Sequence, residues 1–342
     1  MYKPIIAITM GDASGIGPEL IVKVLANADV YGYCRPFVIG DTAVIKKASR
    51  VAGHDVDIKA IKDPSEAGFA FSRLDVFCPK GLALPQTQWG KLDSASGKAA
   101  AQCLESAIEI AEAKKADGVV SAPLNKEAFH LAGYNYLDEL EYLGKLTNSS
   151  DICVIGAMES FWTVAATLHI PFRQIADNIK KDRVLNYIRL MEKTLKKVGI
   201  ENPRIAVAAL NVHGGEGGLF GSEEIDEIGP AIIEAQNLNI SASGPFAADS
   251  VFGIASDEGY DAVVCMYHDQ ANIARKLLGR KKGASLFMGL PVPFATTAHG
   301  TAFDIAGKGT ADPGSMQDAL KYAAMLSAQR SQSVSRRKAY IR

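Results

Sequence analysis

Short apolar runs recur along the chain, separated by longer amphipathic stretches. The runs at 5–9, 35–39, 118–121, 152–155, 161–166, 205–210 and 262–266 are rich in Val, Ile and Ala, without strict alternation. That pattern belongs to strands buried on both faces, as in a parallel sheet covered by helices. Helical periodicity predicts helices over 18–28, 95–114, 181–198 and 223–237. Pro18 suits a first helical turn after a glycine bend, and Gly199 suits a helix stop. The alternation reads as α/β with a mainly parallel sheet. At 342 residues the chain has length for about two domains. No repeat, low-complexity tract or long linker divides it. Two domains would therefore be joined by crossing strands, each lobe being discontinuous in sequence.

Composition narrows the function. Apolar residues are 48% and charged residues 22%, which excludes a disordered chain. Lys and Arg total 37 against 38 for Asp and Glu, a formal charge of −1. This balance argues against a nucleic-acid or anionic-membrane binder that works by bulk charge, so attraction for an anion must be local. Cys34, Cys78, Cys103, Cys153 and Cys265 are scattered without a CxxC pair and read as reduced thiols. The opening apolar run is broken at Gly11-Asp12, too early for a signal peptide. No run of about 18 apolar residues suggests a membrane span. The expected location is the cytoplasm.

Candidate chemistry lies in glycine loops and histidines. Met10-Gly-Asp-Ala-Ser-Gly-Ile-Gly-Pro-Glu19 follows a strand and opens a helix, so its N–H groups can face an anion or simply form a tight turn. It lacks the GxGxxG spacing and the P-loop Lys. A second run, from Leu210 to Gly221, holds five glycines within eight residues around His213 and Glu216. Ordering so much glycine is costly, which favours a ligand-facing loop over a linker. A third runs from His299 to Gly309. Of six histidines, His169, His213 and His268 each follow an apolar strand candidate. Ligands collect beyond the carboxyl ends of parallel strands. A lone histidine there is more often structural; three in equivalent places suit a divalent metal with open positions. Asp269 can hold His268 from behind. His54 and His130 read as surface.

These motifs, taken in order, resemble a known family. MGDxxGIGPE, APLNK, TLHIPF, NxHGGEGG, AAD, YHDQ and HGTAFDIAGKG follow one another as in the 4-hydroxythreonine-4-phosphate dehydrogenase (PdxA-like) family. The stretch GLPVPFATTAHGTAFDIAG is most similar to the threonate 4-phosphate dehydrogenase branch. The resemblance implies a two-lobed isocitrate/isopropylmalate dehydrogenase-like α/β fold with a central cleft. One lobe would comprise 1–125 plus 300–342 with the cofactor loop; the other, 126–299, would carry the histidines and the dimer contact. It implies a homodimer with the active site at the interface, acting on a small-molecule hydroxy acid and touching neither nucleic acid nor membrane. It implies NAD-linked oxidation of an alcohol followed by loss of the adjacent carboxylate. His169, His213 and His268 match metal ligands for Zn, Mg, Mn or Co, one of them reaching across the dimer. A cation bridging hydroxyl and carboxylate would acidify the alcohol and stabilise the enolate left by decarboxylation. Lys126 and Asp249 match polar positions and are the catalytic candidates for the base. Asp12, Glu139, Lys276, Ser285 and Phe294 fall at substrate positions, Lys276 matching the family's lysine and Glu139, Ser285 and Phe294 departing from its pattern. His299, Gly300, Thr301, Ala302, Asp304 and Ile305 match the cofactor loop. Asp304 suits NAD over NADP, because a carboxylate accepts both ribose hydroxyls and repels a 2′-phosphate.

One motif departs. The family carries Gly-His-Thr-Glu where this chain has Asp138-Glu-Leu-Glu141, so only Glu141 matches. Ser285 and Phe294 replace an asparagine and an arginine. Loss of donors weakens phosphate binding, while Arg275 and Arg280-Lys-Lys282 restore positive charge or form a solvated basic loop. The substrate is thus a phosphorylated four-carbon hydroxy acid or an unphosphorylated acid such as a cis-dihydrodiol carboxylate. A third reading, from a different class, is a paralogue that binds ligand without turnover. Retention of the three histidines, Lys126, Asp249 and the third glycine loop argues against it.

Overall fold

The structure, a computed structural model, describes residues 2–82, 84, 87–159, 161–279 and 282–340, with 330–340 by backbone alone. Arg280 and Lys281 of the basic stretch lie outside the described residues. The chain divides into two compact units, unit 1 from Met1–Cys153 and Lys281–Arg342, and unit 2 from Val154–Arg280. Both termini and the 299–309 loop fall in unit 1.

The chain enters unit 1 along β1 (Ile5–Thr9), α1 (Gly17–Leu25), α2 (Val30–Tyr33), β2 (Arg35–Ile39) and α3 (Thr42–Ala52). It continues through β3 (Asp57–Ile61), β4 (Arg73–Phe77), α4 (Ser94–Glu112), β5 (Gly118–Ser121), α5 (Lys126–Leu131) and α6 (Glu139–Leu146). It passes into unit 2 along β6 (Cys153–Ala157), then β7 (Trp162–Thr167), α7 (Ile175–Asn178), α8 (Lys181–Lys197) and β8 (Arg204–Ala208). There follow α9 (Gly229–Asn237), β9 (Ser241–Phe246), α10 (Val251–Asp257), β10 (Ala262–Tyr267) and α11 (His268–Leu278). It returns to unit 1 as β11 (Ala284–Met288), β12 (Phe294–Thr297) and α12 (Gly314–Tyr340).

Unit 1 has strand order β3-β4-β2-β1-β5-β12-β11, parallel except for β11, which runs antiparallel to β12. Its central strands are buried on both faces: Ile6, Ile8, Phe37 and Ile39 are inaccessible, as are Leu20 and Ile21 of α1. Unit 2 has order β6-β7-β10-β8-β9, parallel except for β6. Its core gathers Ala206, Ala208, Val251, Tyr260, Val263 and Cys265. The boundary falls at 153/154 and 280/281, where the sequence suggested 125/126 and 299/300. Residues 126–153 stay with unit 1 because α5 packs on α4, and 284–297 because β12 pairs with β5 and β11 with β12.

Side-chain caps start several unit 1 helices. Asp41, Asp93, Asn125 and Asp138 each accept a backbone N–H in the first turn of α3, α4, α5 and α6. Around α6 the cap is reciprocal: Asp138 takes the Glu141 N–H at 2.8 Å, and Glu141 takes the Leu137 N–H at 2.6 Å. No helix among the described residues is long and apolar enough to cross a membrane.

Candidate active site

In unit 2, β7, β10, β8 and β9 are consecutive neighbours and run parallel. Their carboxyl ends therefore emerge on one edge. His169 follows β7, His268 follows β10, His213 follows β8 and Asp249 follows β9. Polar bonds stitch these ends together. The Thr167 hydroxyl donates to the Met266 carbonyl at 2.8 Å, joining the ends of β7 and β10. Gln270 accepts the Met266 N–H at 2.8 Å and donates to the Ala209 carbonyl at 2.9 Å, joining the ends of β10 and β8. The Ala209 N–H donates to Phe246 at 2.7 Å, joining β8 to β9.

On this frame His169 and His268 stand ring against ring, centroids 5.9 Å apart. Two bonds of about 2.0–2.1 Å from such a pair can meet at one zinc ion. His268 Nδ1 lies 2.7 Å from the Asp269 carboxylate, which fixes that nitrogen as the donor and leaves Nε2 free to ligate. His213 Nδ1 stands 3.6 Å from Glu216. The donor set therefore fits a borderline divalent cation. Among the described residues, however, no three His, Cys, Asp or Glu side chains form a cluster able to hold a metal ion. The chain pairs two of the three imidazoles and holds the third on the adjacent strand end, where the sequence anticipated three converging.

The loop bearing His213 has an uncommon backbone. His213, Gly214, Gly215, Glu216 and Gly217 all take left-handed φ/ψ, with φ of 53° at His213 and 45° at Glu216. Glycine accepts this freely; the two other residues are strained by it. Strained residues of this kind gather at functional sites. The glycine density noted in the sequence is thus a conformational requirement of the turn.

In unit 1 the first and third glycine loops interlock. The Ile16 N–H donates to the Thr301 carbonyl at 3.1 Å, and a Cβ on Gly15 would come within 2.8 Å of Thr301 Cβ. The Asp12 N–H donates to the Pro123 carbonyl at 2.9 Å, fastening the loop to the end of β5. The third loop is held at its far end by Lys23, which donates to Gly309 and Ala311 at 2.9 and 2.8 Å, and by Trp89, against which Gly307 packs. His299 is half-buried beside the Gly300 carbonyl, Gly300 and Asp304 are exposed, and Ala302 has a left-handed φ of 43°. Ile305 donates its N–H to Ala302 at 3.1 Å, closing a tight turn that presents Asp304 to solvent.

Two of the candidate carboxyls in unit 1, Asp12 and Glu139, are buried. Asp12 is inaccessible, takes the Ser14 N–H at 2.7 Å on one oxygen and leaves Oδ2 without a partner. Burial, with Asp93 adding, pushes its pKa up to about 6 against the opposing Ser14 bond. Glu139, the first residue of α6, is 8% exposed with Oε1 unpartnered. Burial first, then Asp138, raises its pKa to about 7, with Ser121 opposing. The Asp138–Glu141 stretch thus separates into a helix cap made by its ends and one buried carboxyl. Lys126 opens α5 and is exposed, as is Asp249.

Other expected substrate positions behave differently. Phe294 is fully buried in β12, its ring stacked on Phe287 at 5.2 Å, and offers no surface to a ligand. Ser285 is buried on β11 opposite Thr296, and Lys276 is exposed in the last turn of α11. Arg275 is no solvated loop residue: it lies on α11, lodged against Gly156, and burial lowers its pKa. Sequence reasoning missed Glu224, a buried carboxylate that accepts three hydrogen bonds from Leu210 and Asn211. Its signal was the acidic pair directly after the second glycine run.

Residues 32–323 match the family described as pyridoxal phosphate biosynthetic protein PdxA. The chain belongs to the PdxA family. A Clostridium botulinum (strain Langeland) protein with the provisional name D-threonate 4-phosphate dehydrogenase is 38% identical over 325 residues, 95% of this chain and 97% of that one. A crystal structure of a 4-hydroxythreonine-4-phosphate dehydrogenase from Burkholderia phymatum is 40% identical with a TM-score of 0.80, covering 95% and 99% of the two chains. A terephthalate 1,2-cis-dihydrodiol dehydrogenase from Burkholderia xenovorans LB400 is 26% identical with a TM-score of 0.65, covering 95% and 98%. PdxA membership makes the chain an oxidoreductase of the dehydrogenase class.

Proposed function

We propose that this PdxA protein is an NAD-linked, divalent-metal-dependent dehydrogenase. It oxidises the alcohol of a small hydroxy acid and releases the adjacent carboxylate as CO2. The observation that carries the reading is the row of His169, His268, His213 and Asp249 on four neighbouring parallel strand ends. His169, His268 and His213 would hold the cation, one of the three coming from the partner subunit of a homodimer. When bound, the cation would polarise the hydroxyl oxygen and withdraw charge from the developing enolate.

The chain's own residues do the rest. Asp269 keeps His268 in the tautomer that ligates. The Asp249 carboxylate stands on the same edge as the histidines and is a base for the hydroxyl proton; Lys126 is the other candidate. The third glycine loop, with Thr301 anchored and Asp304 exposed, would hold NAD, Asp304 accepting the ribose hydroxyls. That carboxylate disfavours the 2′-phosphate of NADP. The relatives' names make D-threonate 4-phosphate and 4-hydroxythreonine 4-phosphate the first substrates to try, with erythronate 4-phosphate, the stereoisomer of the first, beside them.

A second reading, an unphosphorylated acid such as a cis-dihydrodiol carboxylate, is favoured by Glu139. An ionised carboxyl at this position repels a phosphate dianion, and a neutral one supplies at most one donor. The experiment is NADH and CO2 formation on a panel of the 4-phosphates, free threonate and erythronate, and a cis-dihydrodiol carboxylate. Each is assayed with Zn, Mg, Mn or Co, and with NAD or NADP. Turnover of a 4-phosphate with NAD is expected. Turnover of the free acids alone selects the second reading, and equal use of NADP removes the role of Asp304. No turnover of any compound, with NAD bound, ends the dehydrogenase proposal.

A further inference from the structure

We infer that Glu224 is a positioning residue, which fixes the left-handed loop carrying His213 and thereby sets the affinity of the imidazole set for a divalent cation. The inference rests on the metal reading proposed above. At the end of β8 the N–H groups of Leu210 and Asn211 both donate to Glu224 Oε1, each at 2.7 Å. The Asn211 side-chain amide donates to Glu224 Oε2 at 2.9 Å and to Glu223 at 2.6 Å. Glu224 is 5% exposed. Three hydrogen bonds to a buried carboxylate are charge-assisted and stronger than bonds between neutral groups.

Gly215, two residues beyond His213, lies close to the same carboxylate. A Cβ on Gly215 would meet Glu224 Oε2 at 2.9 Å and the Gly221 carbonyl at 2.8 Å. The Phe220 N–H donates to Gly215 at 3.1 Å, folding the loop back on itself. One buried side chain therefore holds the entry of the glycine run and packs against Gly215 within it.

The run needs such a clamp. Its glycines lose the most backbone freedom on ordering. His213 and Glu216 each bear a left-handed conformation that a residue with a Cβ resists. Released from Glu224, the loop samples many conformations, and His213 offers its imidazole only in a fraction of them. Apparent affinity falls by that fraction.

Zinc and cobalt(II) titrations of the full-length metal-free protein test this, by calorimetry and by the cobalt d–d absorption, with circular dichroism and thermal unfolding recorded in parallel. Glu224→Ala is expected to weaken cation binding about 10–100-fold, the range found for residues that support metal ligands. Glu224→Gln keeps an acceptor for the two backbone N–H groups and is expected to recover most of that loss. Gly215→Ala disturbs the same turn without altering the carboxylate and should weaken binding comparably. His213→Ala measures the metal reading itself. If His213→Ala loses cation affinity and Glu224→Ala does not, the inference is overturned. If His213→Ala binds as the wild type does, the metal reading falls and takes the inference with it. Should Glu224→Ala fail to fold, Glu224→Gln and Gly215→Ala decide: wild-type affinity in both overturns the proposal, and a marked loss in Gly215→Ala with recovery in Glu224→Gln upholds it.

Discussion

Glu139 places an ionisable group where unit 1 gives it almost no water. Its pKa is pushed from 4.5 to about 7, burial being the main cause. The folded state thus keeps a proton that the unfolded chain releases. Stability from this group is complete below about pH 4.5 and is lost as pH rises through about 7. A shift of this size corresponds to about 3 kcal/mol, at roughly 1.4 kcal/mol per pH unit. Glu139→Gln cannot ionise. It is expected to equal the wild type near pH 4.5 and to exceed it by about 3 kcal/mol above pH 8 in denaturant unfolding. A gap that stays constant between those two pH values would show that another group titrates. Asp12 carries the same sign: burial raises it to about 6 while the Ser14 N–H on one of its oxygens opposes the shift.

At the scale of elements, the interlocked first and third glycine loops join the end of β1 to the proposed cofactor segment. Gly15 is not in a left-handed conformation, so a side chain there meets trouble only from Thr301. Gly15→Ala should push Thr301 outward and raise the KM for NAD about tenfold, a loss of roughly 1.4 kcal/mol. Cation binding should be untouched, because the histidines belong to unit 2. Unchanged NAD kinetics would mean that the 299–305 segment does not seat the cofactor. These elements were legible to different degrees. β1, β2 and β5 coincide with the apolar runs, since strands buried on both faces leave an unbroken signal. β3 was missed because it lies at the edge of its sheet with most residues exposed, as Asp57-Ile-Lys-Ala-Ile61. β9 was missed because Ser, Gly and Pro dilute its pattern. The predicted helix from 223 is a π-turn over Glu224–Ile228 followed by α9, the break coming where Gly229-Pro230 starts a new helix. At the site, strand-end histidines could be read from sequence because the strands could. The Phe294 and Glu139 environments could not, because burial depends on which strands become neighbours.

For the whole molecule, the exposed apolar side chains are unevenly divided. Unit 2 carries Phe172 at 76% exposure, Leu219 at 74% and Leu277 at 70%, above any large apolar side chain described in unit 1. Helix α11 begins at His268 and leaves Ile273, Leu277 and Leu278 in solvent, with Ala271 its one buried residue. An apolar stripe on a helix that starts at a proposed metal ligand is what a homodimer contact beside a shared site requires. In the homodimer proposed above, the two imidazoles paired in one chain would be joined by a third from the partner subunit. Dimerisation and cation binding should therefore be lost together. Leu277→Asp puts a charge on that stripe at an exposed position, so the fold of the subunit should survive. Light scattering on the eluting protein should give twice the 36.4 kDa chain mass for the wild type. The variant should give the single-chain mass, a normal circular dichroism spectrum and little bound zinc. A variant that is monomeric yet binds zinc as tightly as the wild type would mean that each chain completes its own site. A wild type that is itself monomeric would remove the partner's histidine from the mechanism.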